Sequence, residues 1–182
     1  MSDSAKKFMS ISVWITIVLF VIRCLIDSSG IALAINQREY LNCSYSIYGY
    51  AGEAIGVTAI FMAVFNKWLW KKKPFYLLTG ELPVLAKHYK GTITFVWDGV
   101  EQTRNSEIWI DQTFLNVSVK LGTNESTSNS ITASIEKVNS EQKLIYTYLN
   151  TPRAELQNRS AIHYGTAMLC VDDSKKVTGN YY

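Results

Sequence analysis

Two long apolar runs near the start of the chain constrain its fold more than any other feature. Residues 8–26 are almost continuously apolar, and residues 47–65 form a second run in which Glu53 is the sole formal charge. Each run is long enough to cross the hydrocarbon core of a bilayer as a helix. We favour two membrane helices over a signal peptide, because Trp14 and Phe20 suit a membrane helix and no convincing small-residue cleavage site follows the first run.

The basic residues predict an orientation for these helices. Two lysines precede the first run, and four more follow the second run between residues 67 and 73. The connecting loop, 27–46, carries only Arg38, with Arg23 at its edge. Because lysine and arginine are enriched in cytoplasmic loops, we expect both termini to lie in the cytoplasm.

Small residues follow one face of the second membrane helix. They are Gly49, Gly52, Gly56, Ala59 and Ala63, spaced alternately by three and four positions. Such residues let helix backbones approach closely in lipid, where packing drives association. The pattern predicts a packing face, against either the first helix or another subunit.

Glu53 lies beside this face. A carboxyl group within a membrane is costly unless it is protonated, paired or near the surface. Two interpretations remain open: a polar contact inside an assembly, or an interfacial residue near the outer end of the helix. Arg23, at the outer end of the first helix, is a candidate partner.

The rest of the chain has the pattern of half-buried β-strands. Apolar and polar residues alternate, as in 115–121 and 131–136, which is typical of strands with one buried face. We predict a transmembrane region over 1–73, a linker over 74–85 and a strand-rich domain over 86–182. The predicted strands are 89–97, 106–112, 114–121, 129–138, 143–150, 160–171 and 176–182.

The breaks between these strands are too short for crossover helices, so the strands should form an antiparallel meander. Closing that meander into a small up-and-down barrel of about eight strands would protect its edges and could hold one small ligand. Residues 81–182 carry ten basic and eleven acidic side chains. This near-neutral balance argues against salt-driven binding of DNA or RNA.

Catalytic and metal signatures are absent from the sequence. Three cysteines and two histidines have no metal-ligand spacing. No nucleophile elbow and no glycine-rich phosphate loop occurs. We therefore expect no catalytic residues, no metal site and no cofactor.

The combination of two membrane helices, a basic WLWKKKP junction and a small antiparallel barrel resembles a family of bacterial phage-defence effectors, the CBASS effectors associated with CD-NTase enzymes. The stretches that carry the resemblance are 89–93, 110–113, 123–128, 144–152, 160–166 and 177–181. It implies that the barrel senses a cyclic dinucleotide made by the partner CD-NTase. It also implies that binding drives homo-oligomerisation of the helices in the inner membrane, whose disruption ends in abortive infection.

A cyclic dinucleotide offers phosphates to arginines and hydroxyls, and base faces to aromatic rings. We predict Tyr146 or Tyr148 for stacking and Arg153 or Arg159 for phosphate. Hydrogen-bonding candidates are Thr113, Ser126, Ser128 and His163. The alternative is a membrane-anchored barrel that binds a protein or small ligand without harming the bilayer.

Overall fold

The chain folds as two units, residues 1–80 and 81–182. The structure is a computed structural model in which residues 3–79, 82–158, 160–173 and 176–182 are described. The first unit is helical and the second is a curved antiparallel sheet. The fold class expected from the sequence, a membrane hairpin followed by a barrel-like sheet, is confirmed.

Three helices dominate the first unit. They are α1 (Asp3–Ile26), α2 (Ser28–Asn36) and α3 (Tyr40–Lys67), followed by a short helix α4 (Tyr76–Thr79). At about 1.5 Å per residue, α1 is about 36 Å long and α3 about 42 Å, enough to span a bilayer, and both have the length and composition of membrane spans. The sequence predicted a loop over 27–46, but most of it is helical because α2 fills the connection and α3 begins earlier than expected.

Helices α1 and α3 pack side by side in opposite directions. Three contacts follow one another along the pair: Phe8 with Phe65 at 6.5 Å between ring centroids, Thr16 with Thr58 at 3.1 Å between hydroxyl oxygens, and Arg23 with Glu53 at 3.1 Å between Nε and Oε2. The buried positions of α3 are Tyr50, Ala54, Thr58, Met62 and Phe65. Their spacing of three and four residues defines a single face.

Seven strands form the second unit among the described residues. They are β1 (His88–Trp97), β2 (Val100–Gln112), β3 (Val117–Thr123), β4 (Ser126–Val138), β5 (Glu141–Pro152), β6 (His163–Asp173) and β7 (Lys176–Tyr181). Each strand pairs antiparallel with the next one along the chain. The predicted meander is confirmed, with seven strands observed where about eight were expected.

Two tight turns set the register of the long hairpins. Asp98 and Gly99 join β1 to β2 with φ angles of 49° and 75°, and Asn139 and Ser140 join β4 to β5 with φ angles of 50° and 68°. Two-residue turns with positive φ match the right-handed twist of the flanking strands. Consequently Trp97 pairs directly with Val100 across the first turn.

One end of the sheet is filled by an apolar core. Ile110, Val119 and Leu144 are buried there together with Leu85, which precedes the first strand. Gln112 fixes that preceding segment: its Oε1 accepts the Leu85 N–H at 2.9 Å, and its Nε2 donates to the Pro83 carbonyl at 2.8 Å. The C-terminal part of the predicted linker is therefore part of the strand unit.

The sheet curls until its two outer strands approach each other. No backbone ladder joins β1 to β7 among the described residues, but the Tyr181 hydroxyl donates to the Thr94 carbonyl at 3.2 Å. The result is a nearly closed barrel that encloses a cavity.

Candidate functional site

The cavity inside the near-barrel has a volume of about 1280 Å³. This volume exceeds the roughly 300–1,000 Å³ of typical small-molecule pockets, so a ligand of two nucleotides can be accommodated. Residues from both outer strands line it, including Phe95 of β1 and Tyr181 of β7. Along β2 alternate residues contribute to the wall, because side chains alternate between the two faces of a strand, whereas consecutive residues of β1 and β7 line the cavity at its open seam.

Aromatic rings line one wall of the cavity. Tyr146 and Tyr148, alternate residues of β5, lie with ring centroids 5.9 Å apart and planes inclined by 50°. Burial, and then the neighbouring Tyr148, raise the pKa of Tyr146 to about 12. Burial also raises the pKa of Tyr148, with a further contribution from Tyr181. Both phenols are therefore neutral at physiological pH and keep their hydrogen-bond donors.

Arg104 brings a positive charge to the cavity. It projects from β2, its guanidinium carbon lies 4.7 Å from the centre of the Phe95 ring, and its Nη1 donates to the Glu125 carboxylate. The Arg104 and Glu125 side chains are 29% and 24% exposed, and both line the cavity. The guanidinium is thus held between an aromatic face and a carboxylate, with partial access to solvent.

The sequence prediction missed Arg104 because residues 98–105 read as a polar break between strands. In the structure, β2 begins at Val100, and Gln102, Arg104, Ser106 and Ile108 occupy alternate positions that line the cavity. The alternate spacing of these residues was present in the sequence. However, the residues that face the cavity are polar at this end of β2, so no alternation of apolar and polar residues marked it as a strand.

Two buried polar residues lie side by side in the wall. Ser128 of β4 pairs with Asn150 of β5 in the sheet register, and its Oγ donates to Asn150 Oδ1 at 2.8 Å. Their exposed fractions are 6% and 7%. Ser126 lines the cavity on the same strand. Hydroxyl and amide groups at this position suit the polar edge of a base or a phosphate oxygen.

The remaining predicted ligand residues are distributed unevenly. His163 lines the cavity, and its Nδ1 lies 3.0 Å from the Ala161 carbonyl. Thr113 lies in the turn between β2 and β3, where its hydroxyl accepts the Asn116 N–H at 3.0 Å. Arg153 is exposed and is not among the described residues that line the cavity, and Arg159 lies outside the described residues. The structure brings together Ser126, Ser128, Tyr146, Tyr148 and His163.

A second, smaller groove of about 610 Å³ lies on the sheet at β2 and β3. Trp109, one of its lining residues, stacks on His88 with ring centroids 5.2 Å apart. His88 Nε2 lies 2.9 Å from Glu107 Oε2, and this contact lowers the pKa of Glu107. The groove is therefore bordered by side chains that already contact one another.

Among the described residues, no group of three His, Cys, Asp or Glu residues could hold a metal ion.

The small residues of α3 lie away from α1. Gly52, Gly56, Ala59 and Ala63 are all exposed, and a Cβ atom added at Gly49, Gly52 or Gly56 would meet, outside the nearby backbone of α3 itself, no heavy atom of the described residues within 4 Å. Of the two packing partners that the sequence left open, the first helix does not occupy this face. The face is available to another molecule.

Comparison with known proteins identifies the family. A family model described as "Cap15, cyclic dinucleotide receptor domain" matches residues 81–182. The chain belongs to this family. It therefore carries a cyclic dinucleotide receptor domain, and that domain coincides with the unit that encloses the cavity. The CBASS resemblance inferred from the sequence is confirmed.

A full-length relative supports the same assignment. The chain is 26% identical over 183 residues to CD-NTase-associated protein 15 of Staphylococcus schleiferi, and the match covers all of this chain and 92% of that protein. The similarity thus extends through the helical unit as well as the receptor domain. No solved structure matches the chain.

Proposed function

We propose that this protein is a membrane effector whose cavity binds a cyclic dinucleotide and whose membrane helices then associate and disrupt the bilayer. The observation that carries the proposal is the cavity of about 1280 Å³ within the receptor domain, which combines two neighbouring tyrosines with an arginine. Aromatic rings suit the bases, and a guanidinium suits the phosphates. The protein acts by binding and without catalytic turnover.

Association is proposed to use the small-residue face of α3. This face lies opposite the residues that pack on α1, and apart from the nearby backbone of α3 no described atom lies within 4 Å of a Cβ added at its glycines. Close approach of such faces favours helix pairing in lipid. Glu53 adjoins the face and is bonded to Arg23, so its charge is paired within each hairpin. The ion pair lowers the cost of keeping that carboxylate in the membrane.

The proposed setting is the bacterial inner membrane, with both termini and the receptor domain in the cytoplasm. The lysines that follow α3 and those at the start of α1 support this orientation. The cyclic dinucleotide would then be supplied inside the cell by a CD-NTase. The homo-oligomer would form only on activation.

Vesicles containing the purified full-length protein test the proposal. Dye should leak when a cyclic dinucleotide from a panel of purine and pyrimidine members is added, and crosslinking should show larger species. The double variant Gly52→Leu, Gly56→Leu should still bind the nucleotide, about fivefold or more weakly than the wild type because association no longer supports binding, but should neither associate nor cause leakage. A matched control, Ile55→Leu, changes an exposed α3 residue without enlarging a small one.

Binding without leakage in the wild type would refute the effector role. That outcome would instead support a membrane-anchored receptor that leaves the bilayer intact. Leakage that continues unchanged in the double glycine variant would refute the assigned association face.

A further inference from the structure

The positive charge of Arg104 in the cavity already has a carboxylate partner within the protein. Glu125 accepts a hydrogen bond from Arg104, and both side chains line the cavity at less than one-third exposure. The lysines that line it among the described residues, Lys90 and Lys176, are exposed, and Lys90 is paired with Glu107 at 3.5 Å. The guanidinium that is best placed for an anion therefore starts with a carboxylate partner.

The backbone around Glu125 is fixed. The Thr123 hydroxyl accepts the N–H groups of Glu125 at 3.2 Å and of Ser126 at 3.0 Å. The Glu125 carbonyl accepts the Arg153 N–H at 2.9 Å. Because the turn between β3 and β4 is tied at both sides, displacement of Glu125 from Arg104 would have to come from rotation of its side chain.

A cyclic dinucleotide carries two phosphodiester groups, each with one negative charge at neutral pH. Phosphate and carboxylate oxygens use the same donors of a guanidinium, with similar geometry. A phosphate that approaches Arg104 therefore competes with the Glu125 carboxylate, and the two anions repel each other in a partly desolvated site. Phe95 contacts the face of the guanidinium, which leaves the edge as the contested surface.

We propose that Glu125 is an internal counter-anion that the ligand must displace from Arg104, and that it sets the concentration of cyclic dinucleotide at which the receptor responds. This inference rests on the proposed function, because it requires an anionic ligand in the cavity. Before the ligand binds, the Glu125 carboxylate balances the charge of Arg104 and discourages weakly bound anions.

Substitution of Glu125 tests the proposal in the full-length protein in detergent. Glu125→Gln preserves shape and hydrogen bonding to Arg104 but removes the competing charge. Calorimetry with cyclic di-AMP, cyclic di-GMP and mixed purine–pyrimidine cyclic dinucleotides should show each nucleotide that binds the wild type binding the variant about three- to tenfold more tightly. The affinity of the variant should also fall more steeply with salt. Glu101→Gln, an exposed change on the same strand as Arg104, should leave affinity unchanged.

The possible outcomes separate the two proposals. If the wild type binds a cyclic dinucleotide and Glu125→Gln binds it no more tightly, the counter-anion role is refuted while the receptor function stands. A loss confined to guanine-containing nucleotides would also refute it, since Glu125 would then read a base edge. If neither protein binds any member of the panel, both proposals fail. Thermal melting checks the fold of each variant, and Glu125→Ala repeats the test with a smaller side chain.

Discussion

At the scale of single residues, Arg104 is the side chain on which ligand binding should depend most. A hydrogen bond to a charged partner contributes about 1.5–3 kcal/mol, so Arg104→Gln should weaken cyclic dinucleotide binding by roughly tenfold or more. Arg153, which the sequence also predicted to bind phosphate, is exposed, and Arg153→Gln should change affinity less than about twofold. Calorimetry on the two variants makes the comparison. Equal losses of affinity in the two variants would indicate that Arg153 also contacts the ligand.

Tyr146 makes the stability of the receptor domain sensitive to alkaline pH. The pKa of its phenol is raised from 10.0 to about 12, chiefly by burial, so the folded state favours the neutral form. That contribution is complete below pH 10 and is lost as the pH rises from about 10 to about 12, at no more than about 1.4 kcal/mol per pH unit.

Melting temperatures measured across this pH range should therefore fall less steeply for Tyr146→Phe than for the wild type. Tyr164→Phe, which alters a tyrosine that is 74% exposed, should follow the wild-type curve. Parallel curves for all three proteins would show that Tyr146 ionises as easily in the folded state as in the unfolded state.

At the scale of the elements, the turn between β4 and β5 contains a residue in an unfavourable conformation. Ser140 has a φ angle of 68°, a region that glycine adopts without steric cost. Ser140→Gly should stabilise the domain by about 0.5–1 kcal/mol, since the left-handed penalty of about 1–2 kcal/mol is partly offset by the greater chain entropy of glycine, as measured by urea unfolding. Ser118→Gly, at an exposed position inside β3, should instead destabilise it by about 0.5–1 kcal/mol. Stabilisation by both changes would rule out the turn as the cause.

The strand boundaries show how much of the fold the alternation of apolar and polar residues could predict. Alternation located β5 to within about two residues at each end, because its inward residues Leu144, Tyr146 and Tyr148 are buried in the core. It placed the start of β2 six residues late and the start of β4 three residues late. The missed segments have inward positions such as Arg104, Ser126 and Ser128, which line the cavity rather than an apolar core. Strand patterns fail where the interior is polar, and that is where the ligand is proposed to bind.

The helical unit illustrates a different limit. The two apolar runs and the small-residue pattern of α3 were evident in the sequence, since length and spacing alone define them. The sequence did not reveal which face of α3 contacts α1. The residues on that face, such as Tyr50, Ala54 and Thr58, are no more apolar than the residues opposite them. Packing between two membrane helices depends on shape, and hydrophobicity does not distinguish the two faces.

At the scale of the whole molecule, binding and association must be coupled in both directions. If the nucleotide favours association of the hairpins, association must raise affinity for the nucleotide by the same factor. Every described residue that lines the cavity belongs to 81–182, so the isolated receptor domain should show the affinity of the unassociated state. Full-length protein in vesicles should bind about fivefold or more tightly than that domain, given the usual size of such coupling.

The double variant Gly52→Leu, Gly56→Leu supplies the matching control, because it keeps the membrane helices and removes only their proposed contact face. Its affinity in vesicles should fall back to that of the isolated domain, as measured by equilibrium dialysis with labelled nucleotide. Identical affinities in the wild type, the double variant and the isolated domain would mean that nucleotide binding and association of the hairpins are not coupled. The nucleotide could then not be the signal that assembles the membrane helices, even if it fills the cavity.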